Sequence, residues 1–192
     1  MVSTGFNFIL RKFTFAFTMP ELNKTHLLTG ANLGDRIGTL EAARRLIEQE
    51  IGHVVSASSF YETQAWGQVE QPDYVNQALE VATALSPSEV LEAIFRIEAA
   101  LGRTRRDKWE PRLIDIDILF YENTILNSRD LIIPHPHLHR RNFVLIPMLE
   151  IAPDLLHPVL HKTIEELYEL SEDTLDVILL DVEEIGQSGN FE

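Results

Sequence analysis

Two aspartates with one residue between them, Asp115 and Asp117, are the side chains of this chain best suited to catalysis. They lie in a β-branched, apolar run from Arg112 to Phe120, which is typical of a buried strand. Because successive side chains of a strand point to opposite faces, the two carboxylates share one face. Adjacent carboxylates beside a core are costly unless a cation neutralises them, and Mg²⁺ is the usual cation for paired oxygen ligands. The pattern therefore predicts a metal site, with two solvated acids or a salt bridge to Arg112 as the alternatives.

Basic residues gather on both sides of this pair in an otherwise acidic protein. The net charge of −14 argues against a general affinity for nucleic acid or for an anionic membrane. Arginines match phosphate oxygens by paired hydrogen bonds, so the clusters favour a small, highly charged ligand such as a nucleoside triphosphate with its metals. An ordinary solvated loop is the alternative for the first cluster. The first cluster consists of Arg96, Arg103, Arg105, Arg106, Lys108 and Arg112, and the second of His135, His137, His139, Arg140 and Arg141.

The histidines of the second cluster allow a different metal hypothesis. Prolines hold the segment from Pro134 to His139 extended, so that its alternating histidines could converge on zinc. A loop histidine that binds a phosphate or a backbone carbonyl is the favoured interpretation, and zinc is kept as the alternative.

Aromatic and amide side chains elsewhere in the chain are suited to a flat heterocycle. Tyr74 and Asn76 share one face of their strand, where a ring could stack and an amide could read hydrogen-bond donors and acceptors. Trp109 stands in a charged loop, where an exposed tryptophan costs apolar area, and it could close over such a ligand. The alternatives are a tyrosine packed at a sheet edge and a surface asparagine.

The bulk composition indicates one globular domain. A chain of 192 residues with 45% hydrophobic residues suits a single core, and no apolar run reaches the roughly 20 residues that span a bilayer. The absence of cysteine excludes disulfides and favours a reducing, cytoplasmic compartment. We expect residues 1–24 to be an extension outside the fold, residues 25–175 to be the domain and residues 176–192 to be a tail. The alternating phenylalanines before residue 18 allow an extra edge strand as the other interpretation.

The hydrophobic pattern predicts an α+β fold with a β-α-β-β-α-β core, the ferredoxin-like arrangement. A capping box at Ser86–Glu89 starts the second helix. After Tyr121 we expect additional short helices and strands, including a hairpin around Glu122–Asn123, whereas the segment 175–182 fits a strand or a helical turn equally well. The expected strands are 26–29, 54–61, 74–83 and the one bearing the aspartates, and the expected helices are 35–51, 86–101, 142–151 and 163–170.

A set of motifs in one order along residues 25–170 resembles the 6-hydroxymethyl-7,8-dihydropterin pyrophosphokinase family of folate synthesis. The most specific part is the Arg-x₂-Asp-x-Asp strand at 112–117, followed by Pro134–His135 and by Arg141-x-Phe143. The other matching segments are 30–34, 59–63, 71–76, 96–98, 102–105, 109–111 and 150–153.

The resemblance implies a reaction and a role for each matching residue. The enzyme would transfer the diphosphate of ATP to the hydroxymethyl group of the pterin and release AMP, acting as a monomer with two Mg²⁺ ions. Asp115 and Asp117 would hold the metals and, with Arg103 and Arg112, carry the catalysis. The residues implied for ATP are Glu98, Arg103, Arg105, Arg112, His135 and Arg141, and those implied for the pterin are Thr63, Tyr74, Asn76, Trp109 and Phe143.

Two rival functions fit parts of the same pattern. Another metal-dependent nucleotide enzyme on a ferredoxin-like sheet, such as a polymerase palm or a cyclase, would also carry paired carboxylates but would release pyrophosphate. A binding module that senses a nucleotide or a pterin would release nothing. The concentration of arginines around the aspartates argues against a sensor, because binding alone needs no such charge density.

Overall fold

The computed structural model describes residues 22–64, 71–103 and 113–181. Its strands are β1 (Asn23–Ala31), β2 (His53–Ala57), β3 (Tyr61–Thr63), β4 (Tyr74–Thr83), β5 (Asp115–Tyr121), β6 (Leu126–Asn127), β7 (Ile132–Ile133) and β8 (Val177–Leu179). Its α-helices are α1 (Arg36–Glu50), α2 (Pro87–Ala100), α3 (Asn142–Ile151) and α4 (Ile164–Glu169), and Leu138–Arg140 forms a short 3-10 helix.

The main sheet is antiparallel and has the order β5-β1-β4-β3-β8, with β2 also paired to β4. Counting β2 and β3 as one interrupted strand, this is the strand order of a ferredoxin-like core. The predicted α+β class is therefore confirmed. Helices α3 and α4 and the small β6-β7 sheet follow the core in the chain, as expected for the additional elements.

The single strand predicted over 54–61 is wrong, because the chain leaves the ladder at Ser58. β2 pairs with one half of β4 and β3 with the other half. Between them the backbone of Ser58 donates to Ala78 O at 2.9 Å, and the Ser58 hydroxyl accepts from Ala78 N at 3.0 Å. The side chain of Gln77 donates to Ser58 O at 2.8 Å. These bonds satisfy the polar backbone groups at the interruption.

The two long helices begin where side chains cap them. Asp35 accepts from Gly38 N at 3.0 Å at the start of α1, and the predicted capping box between Ser86 and Glu89 is present at the start of α2. Both helices pack on one face of the sheet, where their apolar stripes meet alternate strand residues in the larger core. Fully buried members of this core include Leu27, Leu40, Ile47, Val75, Leu79, Ile94 and Ile97.

Helices α3 and α4 cover part of the opposite face. They form a second apolar cluster with Leu28, Ala78 and Leu119 of the sheet. The cluster covers the middle of this face at Leu28 and Ala78, and it leaves the end beside Gly30 and Tyr74 to polar side chains. The sheet thus has one face that the larger core covers, with Thr29 and Gln77 buried opposite one another within it, and one face that is divided.

Three further expectations need correction. The hairpin expected around Glu122–Asn123 does not form, because the chain turns at Glu122 and Leu126–Asn127 pairs with Ile132–Ile133 instead of β5. The undecided segment 175–182 contains strand β8, which pairs with β3, so the residues expected as a tail contribute an edge strand. Strand β1 begins at Asn23, two residues inside the expected extension.

Within the described residues, no helix is long and apolar enough to cross a bilayer.

Candidate active site

One row of residues crosses the divided face of the sheet at its polar end. Asp115 on β5 lies opposite Gly30 on β1, Gly30 lies opposite Asn76 on β4, and Asn76 lies opposite Tyr61 on β3. Directly opposite residues of an antiparallel sheet point to the same face. Four strands therefore bring a carboxylate, an amide and a phenol to one surface.

Gly30 provides the space between Asp115 and Asn76. A Cβ atom at this position would lie 2.8 Å from the Asn76 side-chain oxygen, closer than carbon and oxygen tolerate. The amide nitrogen of Asn76 donates to the Thr63 hydroxyl at 2.9 Å, and both side chains are buried. Thr63 lies opposite Tyr74 on the same face. The structure thus brings together Thr63, Tyr74 and Asn76.

A charged network joins the end of α2 to β5. Glu98 is buried and accepts from the backbone N–H of Ile116 at 3.0 Å. The guanidinium of Arg103 forms an ion pair with Glu98 and donates to Asp115 Oδ1 at 2.7 Å. Because Arg103 follows α2 directly and is only 18% exposed, the helix end holds its cation between the two carboxylates. A charged bond of this kind is shorter and stronger than a neutral one.

Burial raises the affinity of this site for protons and cations. Burial, followed by the neighbouring charge of Asp115, raises the pKa of Asp117 to about 7, whereas the charge of Arg141 acts in the opposite direction. Burial also raises the pKa of Glu98, against the opposing effect of Arg103. A carboxylate with such a pKa gains most from a cation that replaces the lost hydration.

The third part of the site is the start of α3 and the loop before it. Arg141 precedes the first residue of α3, and its guanidinium carbon lies 5.6 Å from the centre of the Phe143 ring, within reach of a cation–π contact. Burial lowers the pKa of Arg141, while Asp117 and Asp115 oppose that shift. The structure therefore brings Arg141 close to the aspartate pair, as the second basic cluster predicted.

His135 is neutral beside this arginine. Burial, followed by the charge of Arg141, lowers the pKa of His135 to about 4. Its Nδ1 atom accepts from His137 N at 3.3 Å, so the neutral ring carries its proton on Nε2. A neutral imidazole offers one N–H donor and adds no charge.

The aspartate pair fits a hard divalent cation. Within the described residues, the Asp117 carboxylate makes no hydrogen bond or ion pair, although it feels the charge of Arg141. Among the same residues, no three acidic or histidine side chains converge on one point, so the three-histidine zinc alternative is not supported. Mg²⁺ is commonly held by one or two carboxylates together with substrate phosphates and waters, which matches a two-carboxylate site.

Three of the residues implied by sequence lie outside the described residues: Arg105, Trp109 and Arg112. The other ten lie on or beside the divided face or, for Glu98, in the network that reaches Asp115. Sequence reasoning gave no role to Glu150 and Arg36, which bind the strands and loop stems around the site. For Glu150 the signal was available, since it and Ser59–Thr63 both belong to the matching motifs.

Comparison with known proteins agrees with this geometry. The model of the family described as 7,8-dihydro-6-hydroxymethylpterin-pyrophosphokinase (HPPK) matches residues 26–153, which contain the motif residues described above. The chain belongs to this family.

Two curated members of the family have high similarity. The 2-amino-4-hydroxy-6-hydroxymethyldihydropteridine pyrophosphokinase of Aquifex aeolicus is 39% identical over 141 residues, covering 73% of this chain and 88% of the relative. The protein of the same name from Haemophilus influenzae is 42% identical over 134 residues, covering 69% and 84% of the two chains.

Solved structures of the family show the same fold. A crystal structure of an HPPK-DHPS protein in complex with substrates superposes with a TM-score of 0.65 at 17% identity, covering 78% of this chain and 43% of that chain. An HPPK-DHPS structure from Plasmodium falciparum gives a TM-score of 0.65 at 20% identity and 79% and 46% coverage. The present chain spans less than half of these longer chains, and the likeness concerns the fold alone.

Proposed function

We propose that the divided face of the sheet transfers the diphosphate of ATP to the hydroxymethyl group of 6-hydroxymethyl-7,8-dihydropterin and releases AMP. Family membership makes the chain a pyrophosphokinase of folate biosynthesis. The observation that supports this site for the reaction is the row in which Asp115 lies across Gly30 from Asn76. One strand, β1, separates the carboxylate proposed to bind a cation from the amide proposed to bind a heterocycle.

The nucleotide is proposed to bind on the β5 and α3 side of the site. Arg103 and Arg141 supply charge for the phosphates, and His135 supplies a neutral donor next to Arg141. Glu98 holds Arg103 in place through their ion pair, and Glu98 also accepts a hydrogen bond from the backbone of β5. Arg105 and Arg112 belong to the same proposal on the basis of the family motif.

The pterin is proposed to bind on the β3 and β4 side. Asn76 presents an amide that can match the donors and acceptors of the ring, and its bond to Thr63 fixes the orientation of that amide. Tyr74 and Phe143 are the aromatic side chains proposed to enclose the flat ring, with Trp109 as a further member from the family motif. The pterin hydroxymethyl group would then face Asp115 across Gly30.

Asp115 and Asp117 are the residues that would hold two Mg²⁺ ions. A divalent cation in this position neutralises phosphate charge, favours an in-line geometry and lowers the pKa of a bound hydroxyl. The raised pKa of Asp117 means that its carboxylate is available to a cation chiefly above about pH 7, or wherever the cation displaces the proton.

The proposed reaction forms one phosphorus–oxygen bond and breaks another. The pterin oxygen forms a bond to the β-phosphorus, the bond from that phosphorus to the oxygen of the α-phosphate breaks, and the hydroxyl proton is released. Arg103 and Arg141 stabilise the charge that grows on the leaving AMP and on the diphosphate. Asn76 and Thr63 hold the acceptor so that the attack is effectively unimolecular.

The test is to incubate the purified chain with ATP, Mg²⁺ and the reduced pterin and to identify the products. AMP and the pterin diphosphate are expected in equal amounts. Pyrophosphate without AMP would indicate a polymerase or cyclase reaction, and the absence of any product would indicate a binding module; either result would overturn the proposal. A monomer in the cytoplasm belongs to the same proposal, and sedimentation of the purified protein tests the first part.

A further inference from the structure

We infer that Arg36, in the first turn of α1, is a positioning residue that sets the pterin-binding end of the sheet by binding β3 and the residue that directly precedes β4. The inference depends on the proposed pterin role of Thr63, Tyr74 and Asn76. Arg36 itself is on the other face of the sheet and touches none of these three side chains in the described contacts.

One nitrogen of Arg36 makes both contacts. Its Nη1 atom lies 2.7 Å from Oε1 of Glu62 on β3, and it donates to the backbone carbonyl of Asp73 at 2.8 Å. Glu62 is the middle residue of β3, which leads into the loop between β3 and β4, and Asp73 directly precedes β4, which follows that loop. A single cation therefore joins the outgoing and the returning chain.

The register of the sheet relates these contacts to the site. Glu62 lies opposite Val75, whose side chain is in the core under α1, so Glu62 points to the helix side. Thr63 follows Glu62 and Tyr74 follows Asp73; Thr63 and Tyr74 lie opposite one another and point to the site side. A displacement of Glu62 or Asp73 is thus transmitted through one peptide unit to a proposed pterin contact.

The base of this arrangement is rigid. Arg36 directly follows the helix cap Asp35, and α1 is anchored by Leu40, Ala43 and Ile47, which are fully buried. A second contact supports the chain before β4 from β1, because the buried Asn32 side chain donates to the Pro72 carbonyl at 3.3 Å. Because α1 is fixed by its buried residues, its contacts with Glu62 and Asp73 determine where these two residues lie.

The measurement is the steady-state KM for the reduced pterin at saturating ATP and Mg²⁺. Because the Arg36 and Glu62 side chains are about one third exposed, we expect Arg36→Ala to raise this KM by about three- to tenfold. The affinity for a non-cleavable ATP analogue and the thermal midpoint should change little. Arg36→Lys, which keeps a cation within reach of both oxygens, should lie closer to the unchanged protein.

A double-mutant cycle isolates the contact. Glu62→Ala should also raise the pterin KM, and Arg36→Ala/Glu62→Ala should be no worse than Arg36→Ala alone, because the pair is broken once. The matched control is Arg45→Ala, which removes another α1 arginine from an exposed ion pair with Glu41 and should leave the pterin KM unchanged.

The outcomes separate this inference from the proposed function. Tyr74→Ala and Asn76→Ala should raise the pterin KM if the proposed slot is correct. A response to these two variants with an unchanged KM in Arg36→Ala would overturn the inference alone. Equal losses of pterin binding, nucleotide binding and thermal stability in Arg36→Ala would also overturn it, since they would show a general structural role.

Discussion

The two faces of the main sheet use the same strands for different purposes. On the α1 and α2 side, Leu27, Val75 and Leu79 are fully buried and belong to one continuous core. On the other side, the same strands present Gly30 and Asn76 at one end, followed by the apolar Leu28 and Ala78 under α3. A strand allows this division because successive side chains point to opposite faces, so that the residue types on one face can be chosen independently of those on the other.

The difference between the two faces shows what fixes the positions of the polar side chains of the site. They lie at the end of the sheet that α3 and α4 leave open, but each is attached to a strand that is packed from behind. Asp115, for example, stands between Ile114 and Ile116, both buried in the larger core. The packed layer behind the strands therefore preorganises the site, and Glu98 of α2 joins the charged network of the site from that layer.

The largest expected effect is the loss of catalysis on removal of the carboxylates. Asp115→Ala and Asp117→Ala should each lower turnover by about a thousandfold or more, because both cation binding and charge stabilisation are lost. The folded state should survive, since the apolar face is untouched. AMP release under saturating substrates measures the effect, and Asp154→Ala, at an exposed turn, is the control. Turnover within a few-fold of the unchanged protein would contradict the metal assignment.

The next effect belongs to the apolar face. Ile97→Ala removes a fully buried α2 side chain and should cost about 2–5 kcal/mol in the free energy of unfolding, because it leaves a cavity. At a temperature where the variant is folded, the KM values should stay close to those of the unchanged protein. Urea unfolding gives the stability, and Phe95→Ala on the same helix, where the ring is 40% exposed, should cost less. A large rise in either KM value for Ile97→Ala, measured while the variant is folded, would contradict the division of the two faces.

Gly30→Ala tests the close approach in the row of the divided face. Its Cβ would press on the Asn76 side-chain oxygen, so the amide must move, and we expect the pterin KM to rise about tenfold, within the usual cost of overpacking. The affinity for a non-cleavable ATP analogue serves as the internal control and should change less. An equal loss for both ligands would place the damage at the shared aspartates instead of at Asn76.

The pH dependence of stability tests the buried charge of Asp117. Its pKa is raised to about 7 in the folded state, so the folded chain binds the proton more tightly than the unfolded chain does. Its contribution to stability is therefore full below about pH 4 and is lost as the pH rises towards 7. In the absence of divalent metal, Asp117→Asn should be more stable than the unchanged protein by about 1–2 kcal/mol at pH 8, after allowance for screening, and by clearly less at pH 5, where only part of the contribution has been lost.

Denaturant unfolding at the two pH values supplies this comparison. The difference between the two proteins isolates Asp117, because Glu98, whose pKa burial also raises, is present in both. A difference that is the same at pH 5 and pH 8 would show that Asp117 does not titrate in this range.

The smallest expected effect concerns the carboxylate that joins α3 to the sheet. Glu150 accepts from Ser59 N at 2.8 Å, from the Ser59 hydroxyl at 3.0 Å and from the Tyr61 hydroxyl at 2.9 Å. Glu150→Ala should cost about 1 kcal/mol, since the donors can turn to water. It should also lower the pKa of Tyr61, which burial and this bond raise to about 12. Ultraviolet titration of tyrosine measures the shift, and Glu92→Ala on exposed α2 surface should leave it unchanged.

Local patterns predicted much of the fold. The strand Tyr74–Thr83 and the helix Asn142–Ile151 have the predicted bounds, because each combines a strong apolar pattern with clear flanking residues. Helix α1 begins at Arg36, one residue after the predicted start at Asp35, whose side chain caps it. Where a structure depends on contacts within one turn or one strand, the residue types are sufficient.

Pairing partners were the part that local patterns could not supply. The break at Ser58 depends on hydrogen bonds to β4, twenty residues further along the chain. The short strand β8 forms because β3 offers an open edge, and its own three residues fit a strand or a turn. A register or an edge contact is a property of two segments, so one segment does not determine it.

By itself, the order of residues determined that Asp115 and Asp117 share a face, that the core is β-α-β-β-α-β and that arginines surround the acids. Only the tertiary structure decided that Gly30 separates Asp115 from Asn76, that Arg103 lies between Glu98 and Asp115, and that Arg36 binds Glu62 and Asp73 behind the site. The reason is physical: side-chain direction follows from backbone periodicity, whereas distances between strands and helices follow from the packing of the whole core.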